Sequence, residues 1–102
     1  MKIIGVSACP TGIAHTYMAQ EALEKAAKAM GHECQIETQG SIGAENELSR
    51  KQVKEADVVI LAVEVAIEGM DRFDDKVIYK ANIAKCISQA EKIIEEALAL
   101  VG

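Results

Sequence analysis

Cys9, Gly12, His15 and Thr16 fall within one stretch, Cys9-Pro10-Thr11-Gly12-Ile13-Ala14-His15-Thr16, whose residue types suit chemistry at phosphorus. A short apolar run, Ile3-Ile4-Gly5-Val6, comes before it, and a helical pattern follows over residues 17–30. The start of a helix leaves backbone N–H groups without intrahelical partners, and the helix dipole adds positive potential there. Such a field stabilises a thiolate, the nucleophilic form of cysteine. Gly12 lets the backbone approach an anion closely, while Pro10 removes one donor and stiffens the turn. Together these residues predict a cysteine that attacks phosphorus and holds the phosphoryl group in a nest of amides. A lone cysteine is more often a small buried hydrophobe. The preceding strand, the glycine and the His15-Thr16 pair reverse that reading here.

Spacing separates two kinds of phosphorus chemistry. Counting onward from Cys9, His15 stands at the sixth position, where phosphatases of the C-x5-R type carry an arginine. An arginine there would clamp the phosphate through two hydrogen bonds and favour hydrolysis. Histidine offers a single contact whose charge depends on pH. A loop without the clamp suits holding a phosphoryl group and passing it on. His15 is expected to orient the loop or touch a phosphate oxygen, and Thr16 to hydrogen-bond the sulfur.

The elements that must position this loop follow from the hydropathy pattern. Residues 2–7 are apolar without alternation, as in a strand buried on both faces. Residues 13–30 predict a helix with Ala19, Leu23, Ala26 and Met30 on its inner side, ended by Gly31. Gln20, Glu21, Glu24, Lys25 and Lys28 make its solvated face, where Glu21–Lys25 and Glu24–Lys28 have i,i+4 spacing. Residues 32–38 alternate weakly and are polar, which predicts an edge strand closed by Gln39-Gly40. In a parallel sheet that strand ends at the same rim as Cys9. Gln39 and Gly40 then either touch the phosphoryl group or a partner, or simply form a turn.

Residues 41–48 are a glycine-containing connection. Ser49 and Gln52 have capping-box spacing, with Leu48 and Val53 as the flanking staple, so a short helix is expected over 50–55. Residues 57–63 are the most apolar run and predict a central strand. The acidic loop 64–75 carries Glu68, Asp71, Asp74 and Asp75, which match no calcium-loop spacing. They are expected to face solvent or pair with Arg72, and no metal site is expected. Residues 76–80 predict a fourth strand, and Asn82 caps a single final helix with the stripe Ile83, Ile87, Ala90, Ile94, Ala97, Val101. Cys34 and Cys86 read as core residues. The resulting fold class is α/β: an open parallel four-stranded sheet in strand order 2-1-3-4 with helices on both faces, a Rossmann-like three-layer sandwich. Cys9 sits at the switch point between the first and third strands.

Composition removes several classes of function. The 102 residues make one domain, spanning 1–102, and a net charge of −5 argues against nucleic-acid binding. No apolar run approaches the roughly 20 residues of a membrane span, and the first residues lead straight into a strand rather than a signal peptide. Three cysteines without a C-x-x-C pair suit a reducing cytoplasm. The chemistry read from the loop calls for no cofactor.

The loop from Cys9 to Thr16, continued by Tyr17-Met18-Ala19 and later by Glu37-Thr38-Gln39-Gly40, closely resembles the B component (enzyme IIB) of the fructose-type bacterial sugar phosphotransferase system. Gln39-Gly40-Ser41 and Arg72-Phe73 match as well, and the resemblance covers essentially the whole chain, more weakly after Ala62. It implies the same architecture and a phosphocysteine relay. The phosphohistidine of the A component (IIA) would donate to Cys9, and Cys9 would pass the group to fructose or a fructose-like sugar held by the membrane-embedded C component (IIC). The chain would then be a cytoplasmic monomer in isolation, reaching the inner face of the membrane through that partner. On the residues alone, three rivals stay open. A tyrosine phosphatase or arsenate reductase would share the loop but want an arginine at His15. A thiol redox protein would want a second cysteine near Cys9. An anion-binding module would use the nest without chemistry.

Overall fold

A strand flanked by neighbours on both sides and covered on both faces can carry apolar residues at every position. β1 (Lys2–Ala8) does so, buried along all but its first residue. The computed structural model describes residues 1–9, 13–40 and 43–101. Pro10, Thr11 and Gly12 of the candidate loop, and Ser41, lie outside the described residues. β1 pairs in parallel with β2 (Glu33–Gly40) on one side and β4 (Val58–Val63) on the other. β5 (Ile78–Lys80) adds in parallel beyond β4, and β3 (Gly43–Glu45) adds antiparallel beyond β2. The order is β3-β2-β1-β4-β5. It contains the expected parallel arrangement and corrects the strand count from four to five.

β3 is invisible to hydropathy because its three residues, Gly-Ala-Glu, are all exposed. Gln39 and Gly40 are therefore not a turn. They are the last residues of β2, opposite Ala44 and Gly43, and Gly43 takes a φ of +96° that favours glycine. Along the rest of the β2 flank, side chains complete the backbone. Glu24 Oε2 accepts the Ile36 N–H at 2.8 Å, while Gln20 Nε2 and Asn46 Nδ2 donate to the Ile36 carbonyl at 3.1 and 3.0 Å. The helical face of Gln20 and Glu24, read as solvated, is thus turned to the sheet.

Alternation along the buried strands splits the interior in two. Ile3, Val58 and Ile60 face α1 (Ile13–Ala29), α3 (Ile83–Ser88) and α4 (Ala90–Ala99), meeting Leu23, Cys86 and Ile94. Ile4, Val6, Val59 and Leu61 face α2 (Arg50–Glu55) and a 3-10 turn (Met70–Phe73), whose Phe73 is fully buried. Helices cover both faces, as expected. Gly5 marks where β1 crowds its neighbours: a Cβ there would lie 2.3 Å from the Ile60 carbonyl oxygen.

Local signals set several boundaries. Ser49 and Gln52 form the reciprocal capping box that starts α2, and Asn82 Oδ1 accepts from the backbone of Ala84 and Lys85 to start α3. The single final helix is corrected to two, broken at Gln89 (φ −134°, ψ 44°). Just before the break, Ser88 Oγ donates back to the Ala84 carbonyl, a bond that bends helices. The break shifts the buried positions to Ile83, Cys86, Ile93, Ile94 and Ala97. Burial pushes the Cys86 thiol up to about 11, and burial with the nearby Glu24 charge pushes Cys34 up to about 12. Both are unreactive thiols.

Candidate functional site

Parallel pairing brings the ends of three strands to one rim. Ala8 is opposite Gln39 of β2 and Val63 of β4, so Cys9 is the first residue past the centre of the sheet. Chain connections leave β1 toward β2 on one side and arrive at β4 on the other, which makes this the crevice where open α/β sheets bind ligands. α1 begins at Ile13 and presents its N-terminal end to the same rim. The buried Ser7 Oγ donates to the Thr16 carbonyl at 3.0 Å and ties the strand to the first helical turn. Thr16 is buried there, whereas Ala14 and His15 are exposed. The Tyr17 hydroxyl donates to Glu45 of β3, which joins α1 to the edge strand.

Cys9 is half-buried, and its Sγ–H donates to Glu64 Oε2 at 3.7 Å. It opens into a cleft of about 400 Å³ lined also by Gln39, Gly40, Gly43, Ala44, Val65, Ala66 and Glu68. The structure therefore brings Cys9, Gln39 and Gly40 together. Gln39 spans the cleft as a clamp: its Oε1 accepts the Glu68 N–H at 2.9 Å and its Nε2 donates to the Glu68 carbonyl at 3.0 Å. The same Nε2 donates to Glu37 Oε2 at 2.8 Å.

Glu37 is the buried anchor behind that clamp, only 1% exposed. Arg72 reaches it with two guanidinium nitrogens at 2.8 and 2.6 Å, and the Leu48 N–H adds a bond at 3.0 Å. Burial alone would raise this carboxyl, but Arg72, Gln39 and Leu48 outweigh it and hold the group below the usual carboxylate range. The Arg72 guanidinium also lies 4.7 Å from the centre of the Phe73 ring. Of the two outcomes expected for the acidic loop, facing solvent or pairing with Arg72, the first is the one observed. Glu68, Asp71, Asp74 and Asp75 are all exposed, and Arg72 spends its fork on Glu37. Among the described residues, no three His, Cys, Asp or Glu side chains gather as metal ligands do.

Glu64 is the site residue that sequence reasoning missed. The signal was present in the strand pairing: if residues 57–63 lie parallel beside residues 2–7, the residue after one strand sits beside the residue after the other. A broader hollow lies between α1 and the α3–α4 pair, lined by Lys25, Gln89 and Glu91 among others, and no cysteine or histidine lines it.

Comparison with known proteins gives the family and the fold. Residues 4–96 match the family described as "PTS system, Lactose/Cellobiose specific IIB subunit". The chain is 53% identical over 95 residues to the PTS system fructose-like EIIB component 2 of Escherichia coli K12, covering 93% of this chain and 90% of that one. It is 41% identical to the PTS system fructose-specific EIIB'BC component of Rhodobacter capsulatus, covering 97% of this chain but 17% of that longer protein. The solution structure of the Enzyme IIB subunit of the PTS system from Escherichia coli K12 superposes with a TM-score of 0.90 at 40% identity, covering 98% of this chain and 93% of that one. A domain of the fructose-specific IIABC component of Borrelia burgdorferi gives a TM-score of 0.88 at 46% identity, covering 95% and 92%.

Proposed function

Because this chain belongs to the PTS IIB family, as a fructose-type component, we propose that Cys9 carries a phosphoryl group from a IIA phosphohistidine to a sugar held by a membrane IIC component. The observation that supports this reading is the place of the thiol, half-buried at the switch point of a parallel sheet and open to a cleft. Two displacements at phosphorus follow. Cys9 sulfur attacks the phosphohistidine in line, and main-chain N–H groups of residues 11–16 take up charge on the equatorial oxygens. The sugar hydroxyl then attacks the phosphocysteine, with its general base supplied by the membrane partner. His15, exposed in the first turn of α1, orients the loop or meets a phosphate oxygen.

The sugar is fructose or fructose-like, in keeping with the names of the relatives. Fusion of B and C components in the Rhodobacter capsulatus relative supports a IIC partner. No helix among the described residues is long and apolar enough to cross a membrane. On this reading the chain works at the cytoplasmic face of the membrane, reached through IIC. Mass spectrometry after incubation with phosphorylated IIA tests the reading. A gain of one phosphoryl group on Cys9, acid-stable and iodine-labile, is expected, and Cys9→Ser should abolish it without unfolding the domain. No gain, or a gain on another residue, would overturn the relay.

A further inference from the structure

We propose that Glu64 is the proton acceptor for Cys9 when the sulfur attacks phosphorus; this rests on the phosphoryl-carrier reading above. The contact is built by the sheet. Ala8 and Val63 are paired in register, so Cys9 and Glu64 are the next residues of two adjoining strands, and the Glu64 N–H donates to the Ala8 carbonyl at 3.0 Å. From that fixed backbone the Glu64 carboxylate receives the Cys9 S–H at 3.7 Å. The far end of the segment is held as well, by the double Gln39–Glu68 amide contact and by Arg72 on Glu37. The carboxylate is therefore placed by the scaffold, beside the sulfur and at the exposed rim.

The step balances as follows. For a donor histidine protonated at its second ring nitrogen, the S–P bond forms as the P–N bond breaks, and the P–N electron pair returns to a neutral imidazole. The S–H proton passes to the Glu64 carboxylate. A neutral Glu64 then lies beside the phosphocysteine without repelling its dianion and donates a hydrogen bond to a phosphoryl oxygen. When the sugar hydroxyl displaces sulfur, the departing thiolate recovers that proton and Glu64 is again a carboxylate. One side chain thus accepts a proton in the first transfer and returns it in the second.

The test uses the intact chain, phosphorylated IIA and iodoacetamide as a thiolate probe. Glu64→Gln should slow phosphorylation of Cys9 by about 10- to 100-fold. The same variant should react with iodoacetamide at close to the wild-type rate, because the sulfur still opens into the cleft and only its acceptor carboxylate is lost. Glu64→Asp should recover part of the phosphorylation rate. Slow phosphorylation with alkylation retained is the signature, since a merely structural role would slow both. Phosphorylation of E64Q at the wild-type rate, or alkylation slowed in step with phosphorylation, would overturn the proposal and leave the carrier reading standing. A wild-type chain that accepts no phosphoryl group would overturn both.

Discussion

Glu37 and Glu64 are carboxylates at the same rim of one sheet, and their settings are opposite. Glu37 is buried and has each oxygen bonded, to Arg72, Gln39 and the Leu48 N–H. Glu64 is exposed, and its carboxylate receives the thiol of Cys9 at the longer distance usual for sulfur. A charge that is buried and fully partnered is locked in one protonation state and serves as a post. A charge at the surface beside a nucleophile can take up and release a proton within the lifetime of a reaction. The rim therefore divides rigidity and chemistry between two residues of the same kind, linked through Gln39 and the segment it clamps.

The contrast can be strained from its rigid end first. Arg72→Ala leaves Glu37 buried without its cation and should cost about 3–5 kcal/mol in urea unfolding. Replacing both residues by methionine should recover most of that loss. Acid gives the next effect. The Glu37 carboxyl is lowered in the folded state, so its stabilisation is complete above the unfolded carboxyl value of about 4.3 and is lost as pH falls through the lower folded value. Urea midpoints should decline over that window in the wild type, and this part of the decline should vanish in the double methionine variant.

Gln39→Ala removes the clamp and should cost about 1–2 kcal/mol. It should also slow phosphoryl acceptance several-fold through a looser Glu64, a change read in stopped-flow or quench assays. The smallest effect belongs to Glu64→Gln, which should shift stability by less than about 0.5 kcal/mol, as for an exposed side chain. A loss as large as that of Arg72→Ala would erase the distinction between the two carboxylates.

Features encoded by near neighbours in the chain were legible from residues alone. The Ser49–Gln52 box, the Asn82 cap and the doubly buried β1 depend on short-range bonding and hydropathy, and each is where its pattern points. The position of Cys9 at the rim follows from strand polarity. What escaped depends on contacts between distant residues. Arg72 could have served any carboxylate, and Glu37 lies 35 positions away. β3 is held by pairing rather than by apolar residues. The α3–α4 break at Gln89 is a local feature that the apolar stripe ran through without a mark. Glu64 required knowing which strand lies next to β1.

The side chains laid along β2 have a consequence for how these molecules behave in a crowd. The Ile36 donor and acceptor are occupied by Glu24, Gln20 and Asn46, and β3 covers Thr38 to Gly40. An extended segment from another molecule meets no open ladder along this stretch. Seeding of intermolecular ribbons from this flank is thereby discouraged, even at high concentration.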